Sequence, residues 1–268
     1  MDYNLDDFGP ALRKSGIKFN DSVFLTTSLG MIGIPKSKEK ITYSKIAISL
    51  LKSIKKIIGK NGNIFVPTYS YSFHDKKNKN NKKKNIFSVK NTKSEIGSFP
   101  NFFLKQRGCI RSIDPMISIA GIGKNCKKNL NIESYTSYGK NCLFEKFLKI
   151  KNLKCCNVGL GINWMPFIHY LDWVNKAPFR YDKFFEGIII NKKSKKKIIW
   201  HYPVPYLRKE ADTDGYKIGR LALKKKLFKY SKIGRSRIYV INYKTFFNFA
   251  KKMTLKNKWL TAQGPAFK

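Results

Sequence analysis

The chain is short of negative charge. Its 268 residues hold 16 Asp and Glu against 55 Lys and Arg, a formal charge of +39. A pocket for a polycation needs converging carboxylates, and few are on offer; the surrounding field favours anionic ligands and repels cations. Histidine is scarcer still, with three residues to serve as a base near neutral pH. Five cysteines, an odd number without C-x-x-C spacing, argue against a disulfide framework and a zinc site. The thiols are expected to be reduced and mostly buried, and no metal is expected. No apolar run approaches the roughly 18 to 20 residues of a membrane span. The opening M-D-Y-N-L-D-D-F lacks the apolar stretch of a signal peptide, so no membrane span and a cytoplasmic location are expected.

What is abundant is lysine, accompanied by Asn, Ile, Phe and Tyr. An A/T-rich genome produces this combination without selection for binding, and arginine, the better residue for bidentate phosphate and base contacts, is scarce by comparison. A dedicated nucleic-acid role is therefore not the reading the composition favours. The apolar content, 42%, suffices for a full core.

Residues 22–28, S-V-F-L-T-T-S, read as a buried strand entering a polar turn. Ala47, Leu50, Leu51, Ile54, Ile57 and Ile58 keep a helical stripe that Gly59 would end, and G-N-I-F-V-P at 62–67 gives a second strand. Strand, helix and strand at this spacing imply a parallel pair in an α/β domain. The run from His74 to Asn85 is almost wholly Lys and Asn and cannot bury apolar area; it reads as a mobile surface loop, with a phosphate clamp as the other reading. Lys192 to Lys197 divides two apolar segments and suggests a hairpin tip. A helix after Lys217, a strand at Ile238–Ile241 and a helix at Phe246–Met253 complete the pattern. Nothing marks a second domain.

The densest chemistry lies between Val158 and Tyr181, V-G-L-G-I-N-W-M-P-F-I-H-Y-L-D-W-V-N-K-A-P-F-R-Y. A strand should end at Gly159, and Pro166 suits the first turn of a helix that stops before Pro178. Phe167, Leu171 and Val174 would form its buried stripe, placing His169, Asp172 and Lys176 together on a neighbouring face. A carboxylate one turn from an imidazole can fix its tautomer and stabilise its protonated form, as a general base requires. His–x–x–Asp alone is a weak pattern, and the spacing by itself favours an amphipathic helix with an accidental surface His–Asp pair.

The order of several segments decides between these. T-T-S-L-G, G-N-I-F-V-P-T-Y-S, N-T-K-S-E-I-G, G-C-I-R-S-I-D-P-M-I-S-I-A-G-I-G, S-Y-G-K-N-C, V-G-L-G, and I-H-Y-L-D ahead of P-F-R-Y together resemble the aminoglycoside 3-N-acetyltransferase family, over nearly the whole chain from about Phe8 to Val240. The resemblance implies a single-domain α/β fold, a mixed, largely parallel sheet flanked by helices in three layers. It implies transfer of the acetyl group of acetyl-coenzyme A to an amine of an amino sugar. The family's His–x–x–Glu falls on His169 and Asp172, one methylene shorter.

Other positions depart from the pattern. Thr26-Thr27-Ser28-Leu29 stands where His-Ser-Ser-Leu is usual, and Asp114 replaces the histidine of an Arg-Ser-x-His-Pro element that keeps Arg111, Ser112 and Pro115. Lys93 replaces a proline, and Asn141-Cys142 stands at a common Ser-Pro. Thr27 and Ser28, through hydroxyl and backbone N–H groups, are candidates to hold the thioester carbonyl, or else form a plain polar turn. Arg111 and Ser112 are candidates for binding the coenzyme, with a structural ion pair as the other reading of Arg111. The sequence thus points to an acetyl-coenzyme-A-dependent N-acetyltransferase with a small amino-sugar acceptor, anionic or neutral in preference to a polycationic antibiotic. Acetyl-coenzyme A is the co-substrate, and a homo-oligomer is left open. The alternative is a basic protein binding nucleic acid or an anionic surface on a relic of this fold.

Overall fold

The computed structural model describes residues 3–37, 40–74, 85–192 and 194–265. Most of the Lys/Asn-rich run expected to form a mobile loop, 75–84, lies outside them. Seven strands form the main sheet: β1 (Ser22–Thr27), β2 (Asn63–Pro67), β4 (Ile110–Arg111), β5 (Ile119–Gly123), β6 (Leu153–Val158), β9 (Lys229–Ile233) and β10 (Ser236–Asn242). A smaller sheet joins β3 (Ile86–Ser88), β7 (Arg180–Asn191) and β8 (Ser194–Pro205). The main sheet runs β4-β5-β2-β1-β6-β10-β9. β1 is parallel to both β2 and β6, and the outer pairings are all antiparallel. The sheet is mixed as expected, but parallel pairing is confined to its three central strands. Of the outer pairings, β4–β5 and β9–β10 join consecutive strands through short connections, which permit only antiparallel neighbours.

Side-chain alternation along the central strands builds a core on each face. Val23 and Leu25 of β1, Ile64 and Val66 of β2, and Cys156 and Val158 of β6 join one cluster; Phe24, Phe65 and Cys155 join the other. The first is covered by α1 (Phe8–Lys14), α2 (Tyr43–Ile58) and α3 (Ser98–Leu104). The second is covered by α4 (Cys126–Leu130), α5 (Leu143–Phe147), α6 (Ile168–Val174), α7 (Gly215–Lys224) and α8 (Tyr243–Lys256), together with the small sheet.

All six residues of the α2 stripe are buried. Thr42 caps the helix by accepting from the Lys45 N–H at 3.3 Å. Gly59 ends it at φ +71°, with the Phe19 ring 2.4 Å from where a Cβ would sit, so only glycine fits. The five cysteines are free, four of them buried, and burial pushes the Cys156 thiol up to about 12. The tip of the β7–β8 hairpin is tighter than expected: Lys195, Lys196 and Lys197 belong to β8, opposite Ile190, Ile189 and Ile188.

Candidate active site

A cleft of about 650 Å³ opens at the carboxyl ends of β1, β2 and β6. β1 has parallel neighbours on both sides, and the loops leaving them diverge there, which is where open α/β sheets bind ligands. The loops after β1 and β6 are tied together. Ser28 N–H donates to Val158 O at 2.9 Å, and Asn157 accepts from the Thr26 hydroxyl at 2.7 Å while donating to Gly161 O and Trp164 O. Gly159 lies at φ +74°, and a Cβ there would meet Ser28 O at 2.2 Å. This close approach explains the glycine where β6 ends.

His169 lines the cleft and is partly buried, its side chain 24% exposed. It is the only one of the three histidines that does: His201 pairs with Asp182 and Thr136 elsewhere, and His74 lies against Phe185. The helix carrying it starts at Ile168, with Pro166 in the turn before it, and ends at Val174. Lys176, expected to share the His169 face, lies past the helix end at φ +50° and is exposed.

Asp172 is 2% exposed, and its Oδ2 is 3.7 Å from His169 Nδ1, beyond hydrogen-bond reach. Arg180 fills the space between. Its Nε donates to Asp172 Oδ2 at 2.8 Å, one terminal nitrogen is hydrogen-bonded to His169 Nδ1, and the other donates to Pro203 O at 3.2 Å. The remaining Asp172 oxygen accepts from the Thr261 hydroxyl, which the C-terminal segment brings in by packing Trp259 on Phe179. Burial and the Arg180 charge hold the His169 pKa below the ordinary histidine value, opposed by Asp172. Both influences favour the neutral imidazole. With Arg180 donating to Nδ1, the neutral ring carries its proton on Nε2.

Thr27 and Ser28 border the same cleft. The Thr27 hydroxyl is buried without a hydrogen-bond partner, as are those of Tyr69 and Tyr138, two further lining residues. A buried polar group left unpaired in an enclosed site is a place for a ligand to bond. The Ser28 N–H, by contrast, is already committed to the sheet. Tyr43, Tyr71, Tyr202 and Trp164 add aromatic surface, and among the described residues no Asp, Glu, Lys or Arg lines the cleft.

The sequence profile described as aminoglycoside 3-N-acetyltransferase matches residues 39–254. The chain belongs to that family. It is an acetyl-coenzyme-A-dependent N-acetyltransferase. No curated protein matches it in sequence. Among solved structures, the fold is similar to the YokD protein from Bacillus subtilis, with a TM-score of 0.78 at 16% identity, covering 96% of this chain and 95% of that one. It is similar to the sisomicin-bound AAC-VIa, at 0.77 and 17% over 96% and 99%. It is also similar to AAC-IIIb in binary complex with CoASH, at 0.78 and 12% over 96% and 97%. No helix among the described residues is long and apolar enough to cross a membrane.

Two positions taken from the family's pattern as coenzyme contacts lie elsewhere. Arg111 is buried against Phe87, and its guanidinium donates to Thr68, Ser118 and the Thr92 carbonyl; every nitrogen is used in clamping strand ends together. The Ser112 hydroxyl accepts from Ile119 N–H at 2.9 Å inside the same turn. Asp114, where the family usually has histidine, caps the turn by accepting from Met116 and Ile117 N–H, and burial pushes its carboxyl up to about 6. The residues missed were Arg180, Thr261, Tyr69 and Tyr138. Arg180 stood in the P-F-R-Y segment, and a lone arginine beside an apolar pair in a lysine-rich chain was the available signal.

Proposed function

We propose that this acetyltransferase acts on an amino sugar carrying little positive charge, surface-linked or nucleotide-linked, in preference to a polycationic antibiotic. The observation that carries this is the cleft wall: aromatic faces and unpaired hydroxyls suit a neutral polyol, and among the described residues no lining carboxylate neutralises a cluster of ammonium groups. The formal charge of +39 adds a field that lowers the local concentration of polycations. A location in the cytoplasm, where the thiols stay reduced, fits the five free cysteines.

His169 takes the proton of the attacking amine, whose pKa near roughly 8, judged from α-amino groups, leaves it largely protonated at neutral pH. To accept at Nε2 the ring must carry its proton on Nδ1. In the arrangement described, Arg180 holds the opposite tautomer. Catalysis therefore needs the Nδ1 contact to pass from Arg180 to Asp172, an approach of less than about 1 Å from the present separation to ordinary hydrogen-bond length. Asp172 then stabilises the imidazolium, and His169 returns that proton to the departing thiolate, while the other proton the ammonium loses on becoming an amide goes to solvent. The Thr27 hydroxyl, buried without a partner at the cleft, would donate to the carbonyl oxygen as negative charge develops there. Ser28 contributes its hydroxyl only. Tyr69 and Tyr138 would orient the acceptor.

The test is a thiol-release assay with acetyl-coenzyme A across neutral, nucleotide-linked and aminoglycoside amines. Higher kcat/KM for the first two classes is expected; a preference for aminoglycosides overturns the charge argument. A protein that binds nucleic acid instead would show no rise in Tm with acetyl-coenzyme A.

A further inference from the structure

Asp172 presents two oxygens, and Arg180 takes one of them. The other accepts from the Thr261 hydroxyl, and Thr261 is fully buried although it lies past the residues, 39–254, that match the family profile. We propose that residues 257–264 form a strap that completes the active site from behind, with Thr261 as a positioning residue that holds one Asp172 oxygen so that the other is left for His169. The proposal rests on His169 acting as the base and concerns what keeps its partner in place.

Two groups compete for the carboxylate. An arginine beside a buried carboxylate favours the paired arrangement in which two guanidinium N–H groups meet both oxygens. Here that arrangement is blocked, because Thr261 donates to Oδ1 while Arg180 Nε donates to Oδ2 at 2.8 Å. The terminal Arg180 nitrogen that would complete the pair reaches His169 Nδ1 instead. When the Nδ1 contact passes to Asp172, Oδ2 is the oxygen that moves, from 3.7 Å, and Oδ1 is the point about which the carboxylate turns. Without the hydroxyl, the guanidinium closes on both oxygens and none is free for the imidazole.

The strap is held at this place by its own contacts. Trp259 N–H donates to Asn257 Oδ1 at 2.9 Å and Ala262 N–H to Trp259 O at 3.1 Å, which turns the chain. The Trp259 ring packs 5.1 Å from that of Phe179, the residue before Arg180, in a small cluster with Ala177, Ala211 and Ala262 that is separate from the two main cores. Residues 261–264 then run antiparallel to 210–214 through a Thr213–Ala262 bridge. Asp214 N–H donates to Thr261 O at 2.9 Å, Gln263 N–H to Asp212 O at 2.8 Å and Gly264 N–H to Glu210 O at 2.9 Å. Lys217 Nζ donates to the carbonyls of Ala262 and Gln263, at 2.8 and 2.6 Å. Thr213 and Gly215 line the cleft, so the strap joins its rim to the His169–Asp172 pair. Because its apolar anchor is a satellite of the two cores, the strap can detach without opening them, and activity follows its docking.

The experiment compares the full chain with Thr261→Val, Thr261→Ser, Trp259→Ala and His169→Ala. Thiol release is measured with the most rapidly acetylated amine of the panel above, at about 15 °C below each Tm so that every protein is folded, and coenzyme A affinity is read by calorimetry. Thr261→Val keeps the shape and loses the donor; kcat is expected to fall at least tenfold while the acceptor KM and the coenzyme A Kd stay within threefold. Thr261→Ser, which restores the hydroxyl, should return kcat to within threefold of the unmodified chain. Trp259→Ala should lower kcat and speed amide hydrogen exchange at 261–264 while the central strands stay protected. A Thr261→Val kcat within threefold of the unmodified chain, with His169→Ala inactive, overturns the strap's role, as does a Thr261→Ser variant as slow as Thr261→Val. A His169→Ala variant keeping a tenth of the activity sinks the base assignment instead. If Thr261→Val does not fold, Trp259→Ala carries the test: faster exchange at 261–264 with unchanged kcat refutes the proposal.

Discussion

Replacing Asp172 by Asn separates the catalytic work of this carboxylate from its structural work. Asp172 and Arg180 form an ion pair whose side chains are 1% and 5% exposed. Removing one charge leaves the other buried and unpaired, at a cost of about 3–5 kcal/mol. At roughly 2 °C per kcal/mol for a chain of this size, Tm should fall by about 6–10 °C. The same change removes the influences that raise the His169 pKa and leaves those that lower it, burial and Arg180. The base must be neutral, so activity is lost as pH falls through its pKa, and the acid limb of log(kcat/KM) against pH should move to lower pH. Arg180→Met should move that limb the other way, since a depressing charge is gone. kcat should drop by about 10² or more for Asp172→Asn and by less for Arg180→Met, because Nδ1 is then free to turn to Asp172. The double variant should recover part of the lost Tm and none of the lost kcat. A limb unmoved by either single change, or a double variant that regains activity, would refute the bridging role given to Arg180.

His169→Ala should lower kcat by about 10² to 10⁴ while coenzyme A affinity, read by calorimetry, stays within about threefold; retention of a tenth of the activity would exclude it as the base. Asp114 has a folded-state pKa raised to about 6 from 3.8, so stability from its protonated form is fully present below about pH 4 and lost as pH rises through 6. Asp114→Asn keeps the acceptor for two N–H groups and should gain up to about 3 kcal/mol at pH 7 relative to pH 4, and an unchanged Tm difference between these pH values would contradict that. Gly159→Ala should cost at least about 1–2 kcal/mol from its left-handed conformation alone, and more from the contact with Ser28 O. Urea midpoints would check it, and a silent substitution would show that the β1 and β6 loops are not knit as described.

The central strands, α2 and the helix bearing His169 were legible because each carries its period in consecutive residues. The small sheet was not: β3 has three residues, and its partner β7 lies about a hundred positions on, joined through tertiary packing. The confinement of parallel pairing to three strands was hidden for the same reason, since residue pattern does not say on which edge a strand is added. His169, Thr27 and Ser28 could be picked out as candidates because they sit at strand and helix ends, and all three line the cleft. Arg111 was a candidate coenzyme contact because a cation near a turn reads alike in sequence whether it faces a ligand or, as here, four internal oxygens. Arg180 was passed over because its meaning depends on His169 and Asp172 facing it from another element, eleven and eight residues back.

The central claim, acetyl transfer to an amine of low charge in a cleft lined by no carboxylate among the described residues, is most directly tested by internal competition. An uncharged or nucleotide-linked amino sugar and a polycationic aminoglycoside are mixed in equal concentration with limiting acetyl-coenzyme A, and the acetylated products are identified and counted by mass. The account predicts that the amino sugar takes most of the acetyl groups, at low and at moderate salt. Acetyl groups found mainly on the aminoglycoside would contradict it.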